Sequence, residues 1–377
     1  MKQKSWLKPL CLFLLAAAIG VGGFFLGKNE GKKDADAAHV AERELDILLH
    51  RSDLEGLGSV EGPIYITGHK SPDSDTVGSS IACAELLAKL GYDARPVVLG
   101  EINHETEYVL EEAGLEAPPL LADAAGKTMI LVDHSEYTQS ADGLRDTRII
   151  GIIDHHGVGA VTTGNQLIYD ARPLGSTATI LWTRYRDYGL EPDARTAKVM
   201  LGSILSDTNN LHPGTATFAD REAVRVLSGI AGVPDVSAFW QKMFEASLSY
   251  EGMTDEDIFF SDYNEYESGG AKYGIGCVNA YDEAKAAELA GRMRVVMPGM
   301  LAPTGMDTAF AMVSVFHDDL SISYLVPANE AAAEIIRTAF GDRAVFDGTS
   351  FVLKPGISRK RDMVPAVTDV LSMHPAE

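Results

Sequence analysis

Ile64-Tyr65-Ile66-Thr67-Gly68-His69-Lys70-Ser71-Pro72-Asp73-Ser74-Asp75 opens with a short apolar run and closes on His69, Asp73 and Asp75. The apolar part reads as a buried strand. Helical spacing follows from Thr76 to Leu90, with Asp75 as an N-cap and Gly91 as a stop. The same alternation repeats downstream. Pro96–Leu99, Met129–Val132 and Ile149–Ile153 read as strands; His104–Ala113, Ser176–Tyr188, Arg195–Leu205 and Asp220–Ala231 read as helices. Strands alternating with helices predict an α/β fold: a mostly parallel sheet with helices on both faces.

A helix over Val236–Leu248 is expected to close this first domain, and the polar stretch Ser249–Asp257 to link it to a smaller α/β domain. The domains are thus set at 63–248 and 254–372. Upstream, Lys2, Lys4 and Lys8 precede an uncharged apolar run, Leu10–Gly27, just long enough to span a bilayer as a helix. Residues 1–27 are therefore expected to form an N-terminal transmembrane anchor, with cleaved signal peptide and secretion as the alternative. Residues 28–62 are expected to be a connector, and the catalytic part to lie outside the cytoplasm.

The 377 residues carry 54 acidic and 32 basic side chains, a formal net charge of −22. That balance excludes non-specific nucleic-acid binding as a function, because phosphate backbones demand Lys and Arg; it suits a protein that gathers divalent cations. Cys11, Cys83 and Cys277 are too far apart for zinc-ligand spacing.

Four polar segments stand out: His69 to Asp75; Asp133-His134-Ser135-Glu136; Asp154-His155-His156; and Ser206-Asp207-Thr208. The first three follow strands and the fourth ends a helix. In an open α/β sheet, strand-end segments meet at the carboxyl edge, where ligands bind. Carboxylates brought together there repel one another unless cations lie between them. A mixed Asp/His set suits Mn²⁺ or a similar transition metal better than Ca²⁺.

These segments resemble the DHH phosphoesterase superfamily, whose name Asp154-His155-His156 spells. Within it the chain is similar to the family II, manganese-dependent inorganic pyrophosphatases from about Pro63 to Ala366. The likeness includes Asp133-His134-x-Glu136-x-x-Gln139-Ser140, Gly175-Ser176-Thr177-Ala178-Thr179-Ile180, Ala328-Asn329-Glu330 and above all Ser358-Arg359-Lys360. The Ser-Arg-Lys signature belongs to the second domain of the pyrophosphatase branch. The resemblance implies a DHH-type domain and a smaller C-terminal domain with the site in the cleft between them. It implies two Mn²⁺ ions, with Co²⁺ as an alternative and Mg²⁺ accompanying the substrate. His69, Asp73 and Asp133 would hold one ion, and Asp75, Asp133, His155 and Asp207 the other. His156 would contact pyrophosphate; Ser358, Arg359 and Lys360 would bind phosphate. A homodimer is compatible with the pattern.

Three positions depart from it. Ser71 and Ser135 stand where the family usually has Asn. Asn264 stands where the family has a phosphate-binding Lys, a loss of about 1.5–3 kcal/mol if the contact is direct. Lys272 is the nearby candidate to replace it. Asn264 also motivates the alternatives: a related hydrolase for polyphosphate or another phosphate ester, or a catalytically weak surface protein that binds metal or phosphate.

Overall fold

A computed structural model describes the backbone of residues 30–56, 60–315 and 322–373, which divides within one helix, between Met243 and Phe244, into two compact units. The expected anchor, 1–27, lies outside the described residues. Its transmembrane reading is nevertheless corrected: among the described residues no helix is long and apolar enough to cross a membrane. The expected membrane partner, the placement outside the cytoplasm and the secreted alternative, which all rested on that helix, are withdrawn with it.

Where a connector was expected there is a helix, α1 (Glu30–Gly56). Leu, Glu and Arg dominate its second half, and all favour a helix. Three side chains dock it. Leu54 is buried; the Arg51 guanidinium donates twice to the Tyr188 carbonyl, at 2.6 and 3.1 Å; and Ile47 covers Gly189, whose φ of +65° and missing Cβ admit the close approach.

The first unit holds β1 (Ile64–Thr67), α2 (Ser74–Lys89), β2 (Ala94–Pro96), α3 (His104–Ala113), β3 (Thr128–Val132), β4 (Arg148–Asp154), β5 (Ile168–Ala171), α4 (Thr177–Asp187), α5 (Ala194–Asp207), α6 (Phe218–Ala231) and α7 (Val236–Ser247). The five strands pair in the order β2-β1-β3-β4-β5, all parallel. The three strands whose ends carry the polar segments, β1, β3 and β4, are therefore neighbours. Residues of alternating strand positions, Ile64, Ile66, Ile130, Val132 and Ile150, pack under α2, α4, α5 and α6 in the main core. The opposite face is closed differently from the expected second helical layer. There Tyr65, Met129, Leu131, Ile149 and Ile152 meet loop residues and two single turns, Tyr137–Gln139 and Leu144–Asp146. The chain between β3 and β4 forms only those two turns and no α-helix.

The second unit continues with α8 (Asp255–Phe260), β6 (Tyr263–Ser268), β7 (Ala271–Ala280), α9 (Glu283–Val296), α10 (Leu301–Thr304), β8 (Thr308–Val315), β9 (Ser323–Pro327), α11 (Glu330–Phe340), β10 (Val345–Phe346), β11 (Phe351–Leu353) and α12 (Val364–Met373). Its sheet runs β10-β11-β9-β8-β7-β6, antiparallel except for β7 beside β8. One core lies on each face: Val278, Val313 and Val326 pack with α9, and Tyr273, Phe310 and Leu325 with α11.

Candidate metal centre

The end of β1 sets the site's first half. A Cβ on Gly68 would lie 2.3 Å from Thr76 Cγ2, so only glycine lets the chain pass over the first turn of α2. That turn is fixed by Asp73, which caps it by accepting from the Thr76 amide at 2.9 Å. The sequence had given the cap to Asp75. Asp75 instead turns fully inward and meets the start of α4. There it accepts from Ser176 Oγ (2.7 Å), the Thr177 amide (2.7 Å) and the Ala178 amide (3.1 Å). A carboxylate at a helix N-terminus is held by amides and dipole together.

Asp133 follows β3 with φ +61°, a left-handed conformation costly for a non-glycine residue. Its amide stays in the ladder, donating to the Ile153 carbonyl, while its carboxylate receives Thr76 Oγ1 at 2.8 Å and Thr177 Oγ1 at 3.2 Å. His155, after β4, gives Nδ1 to the Leu174 carbonyl at 3.1 Å. Its buried Nε2 then lies 3.4 Å from Asp133 Oδ1 and 3.3 Å from Asp207 Oδ2 without a hydrogen bond to any described residue. His69 Nε2 lies 3.3 Å from Asp73 Oδ2 and 3.4 Å from Asp133 Oδ2.

Candidate ligand atoms thus gather into overlapping groups, each within 4.8 Å: His69, Asp73 and Asp133; Asp75, Asp133, His155 and Asp207; and Asp133, His155 and His156. Asp133 is common to all three. All six candidate metal ligands named from the sequence are brought together. His134 is held away, its ring nitrogens engaged by the Val132 carbonyl and Ser140 Oγ.

The electrostatics show what the protein alone cannot balance. Burial, then the Asp133 charge, pushes Asp75 up to about 7. Burial and the charges of Asp75 and Asp133 push Asp207 up to about 11. Burial would lower His69 and His155, yet the closely set carboxylates win, raising them to about 10 and about 9. Burial would raise Asp133, but its imidazole neighbours hold it well below the usual carboxylate range. Protons occupy sites where cations would serve better. The donor set, its shared carboxylate and the orphaned His155 Nε2 fit a pair of divalent transition-metal ions.

Two supporting residues were given no role in the sequence reading. Asp154, almost fully buried, fixes His156 by accepting from its amide and Nδ1, both at 3.0 Å; His156 keeps about half its side chain exposed. Glu105 on α3 accepts from Ser74 Oγ (3.3 Å) and Ser206 Oγ (2.9 Å), tying the 73–75 segment to the 206–207 segment. The leading Asp of Asp154-His155-His156 was visible; nothing local marked Glu105.

The remaining predicted contacts belong to the second unit. Ser358 caps a wide helical turn, Arg359–Met363, through the Arg361 amide. Arg359 is largely buried against Asp262, and Lys360 is exposed. Asn264 is exposed on edge strand β6, opposite Ile275. Lys272, expected as its substitute, is not beside it. It pairs with Glu267, three positions further along β6, so strand alternation turns both to the other face of the sheet from Asn264.

Two family models match the chain, the DHH family N-terminal domain over residues 63–205 and the DHHA2 domain over 241–370, which makes it a two-domain protein of the DHH class. The manganese-dependent inorganic pyrophosphatase of Bacillus subtilis (strain 168) is 33% identical over 311 residues, spanning 82% of this chain and 99% of that protein. The manganese-dependent inorganic pyrophosphatase of Methanothrix thermoacetophila is 35% identical over 303 residues, spanning 80% of this chain and 96% of its own length. A solved Methanococcus jannaschii structure described as a family II inorganic pyrophosphatase aligns with a TM-score of 0.50 and 33% identity, covering 82% of this chain and 99% of that one. The chain belongs to the manganese-dependent inorganic pyrophosphatase family. Helix α1 lies before the matched span.

Proposed function

We propose that this protein is a manganese-dependent inorganic pyrophosphatase, hydrolysing pyrophosphate to two phosphates. The observation that carries the reading is the shared carboxylate of Asp133, with Oδ2 turned to His69 and Oδ1 to His155. His69, Asp73 and Asp133 would hold one ion; Asp75, Asp133, His155 and Asp207 would hold the second. Bound there, the two ions supply an acidified water and counter-charge for the substrate. Mg²⁺ accompanies the pyrophosphate.

The protein's own groups do the rest. Thr76 and Thr177 fix the Asp133 carboxylate, and the left-handed backbone aims it. His156, held at Nδ1 by Asp154, contacts substrate; the Asp154 hydrogen bond raises its pKa, so it carries a proton more readily than a free imidazole. Arg359 and Lys360 bind phosphate oxygens and neutralise the group that departs.

Purified protein given Mn²⁺ or Co²⁺ should release phosphate from pyrophosphate; no release under those conditions rejects the reading. Asn264, whose place Lys272 does not take because it lies on the other face of the sheet, supports a second reading in which a longer polyphosphate is preferred. Comparing pyrophosphate, tripolyphosphate and short oligonucleotides as substrates decides between them.

A further inference from the structure

The Arg359 guanidinium is not a free surface cation. Its Nη1 donates to the Asp262 main-chain carbonyl at 2.8 Å, and its Nη2 pairs with Asp262 Oδ1 at 2.8 Å. That carbonyl also accepts from the Cys277 amide at 2.9 Å, so the point of attachment is pinned by the β-sheet. The Cys277 thiol adjoins the same guanidinium, and Arg359 Nε is buried with no nitrogen or oxygen partner among the described residues. The Arg359 side chain is 13% exposed and the Asp262 side chain 51%. The turn that launches Arg359 is fixed as well, since Asp362 Oδ2 accepts from the Ser358 amide at 2.8 Å.

We propose that Asp262 is a positioning residue for this reaction: its carbonyl and carboxylate hold the Arg359 guanidinium in the orientation that receives a phosphate. The inference rests on the reading of Arg359 as a phosphate ligand. An arginine has five N–H donors in a planar fork. Asp262 takes one from each Nη nitrogen, which leaves each of them one N–H for an anion. A long side chain held this way does not have to be ordered anew at each capture of substrate. The carboxylate's charge works against the incoming anion, so its benefit lies in geometry. An uncharged acceptor of the same shape should therefore serve nearly as well.

The test is steady-state pyrophosphate hydrolysis by the full chain with saturating Mn²⁺, comparing Asp262→Ala, Asp262→Asn, Asp262→Glu, Arg359→Gln and the double variant Asp262→Ala/Arg359→Gln. Asp262→Ala should lower kcat/KM by about tenfold, most of it in KM. Asp262→Asn, which keeps an acceptor oxygen, should stay within about threefold of wild type. Asp262→Glu keeps the charge but displaces the carboxylate, and it should lose activity even if the alanine variant fails to fold. The double variant should be no worse than Arg359→Gln. If Arg359→Gln raises KM while Asp262→Ala and Asp262→Glu match wild type, the positioning role is overturned and the phosphate-ligand reading survives. If Arg359→Gln itself leaves KM unchanged, that underlying reading fails. Additive losses in the double variant would show Asp262 acting independently of Arg359 and overturn the proposal.

Discussion

The two units solve opposite electrostatic problems by different means. In the first, carboxylates and imidazoles are forced together by backbone: strand ends on β1, β3 and β4, the start of α4, and a left-handed residue at Asp133. Their mutual repulsion is absorbed by protons on His69, His155 and Asp207. In the second, a cation, Arg359, is held by the main-chain carbonyl and the carboxylate of one residue, Asp262, beside an edge strand. Groups that must share cations are placed by the parts of a fold that cannot move cheaply. Groups that must catch an anion are placed by a side chain with donors to spare.

The sharpest way to break this contrast is at its pivot. Asp133→Asn preserves shape and one acceptor oxygen for the Thr76 and Thr177 hydroxyls but removes the shared charge. Phosphate release should fall by at least about 1000-fold, more than loss of a supporting residue would cost. Near-normal turnover would show that the shared carboxylate is dispensable.

A gain at the second unit sharpens the comparison from the other side. Asn264→Lys adds a cation on the sheet face that Lys272 cannot reach. One charge-assisted contact of about 1.5 kcal/mol corresponds to roughly a tenfold lower KM for pyrophosphate. An unchanged KM would place Asn264 away from substrate.

A smaller effect concerns stability without metal. The folded-state pKa values of His69 (about 10), His155 (about 9), Asp75 (about 7) and Asp207 (about 11) are all raised. Groups raised in this way bind more protons folded than unfolded, so the stability they contribute is lost as pH rises through the folded values. Asp133, held low, is ionised in both states above about pH 6 and adds no slope there. Between pH 6.5 and 9 the Tm of metal-free protein should therefore fall, and saturating Mn²⁺ should abolish or reverse the trend. A calorimetric series at matched ionic strength checks it; a rising Tm without metal would contradict the proton-for-metal account.

Much of this site was legible because its ligands sit where apolar runs stop. His69, Asp133 and His155 each follow a strand that a short apolar run announces. Local spacing could not reveal partners brought from across the chain. Glu105 lies about thirty residues from Ser74 and a hundred from Ser206, and only packing joins them. Strand β6 was missed because Tyr-Asn-Glu-Tyr-Glu-Ser is an edge strand, polar along one row. Strand β5 is four residues with only Asp170 buried. Helix α1 was read as a connector because its docking depends on Ile47, Arg51 and Leu54 meeting distant residues. The membrane reading came from an apolar run outside the described residues, and no described helix supports it.

The central claim is that seven distant side chains, His156 included, build one centre around a shared carboxylate. Counting the Mn²⁺ ions retained per chain, in wild type and in Asp133→Asn, tests it directly. The account predicts two tightly held ions in the wild type and weakened binding of both in the variant. One ion in the wild type, or loss of only one in the variant, would contradict it.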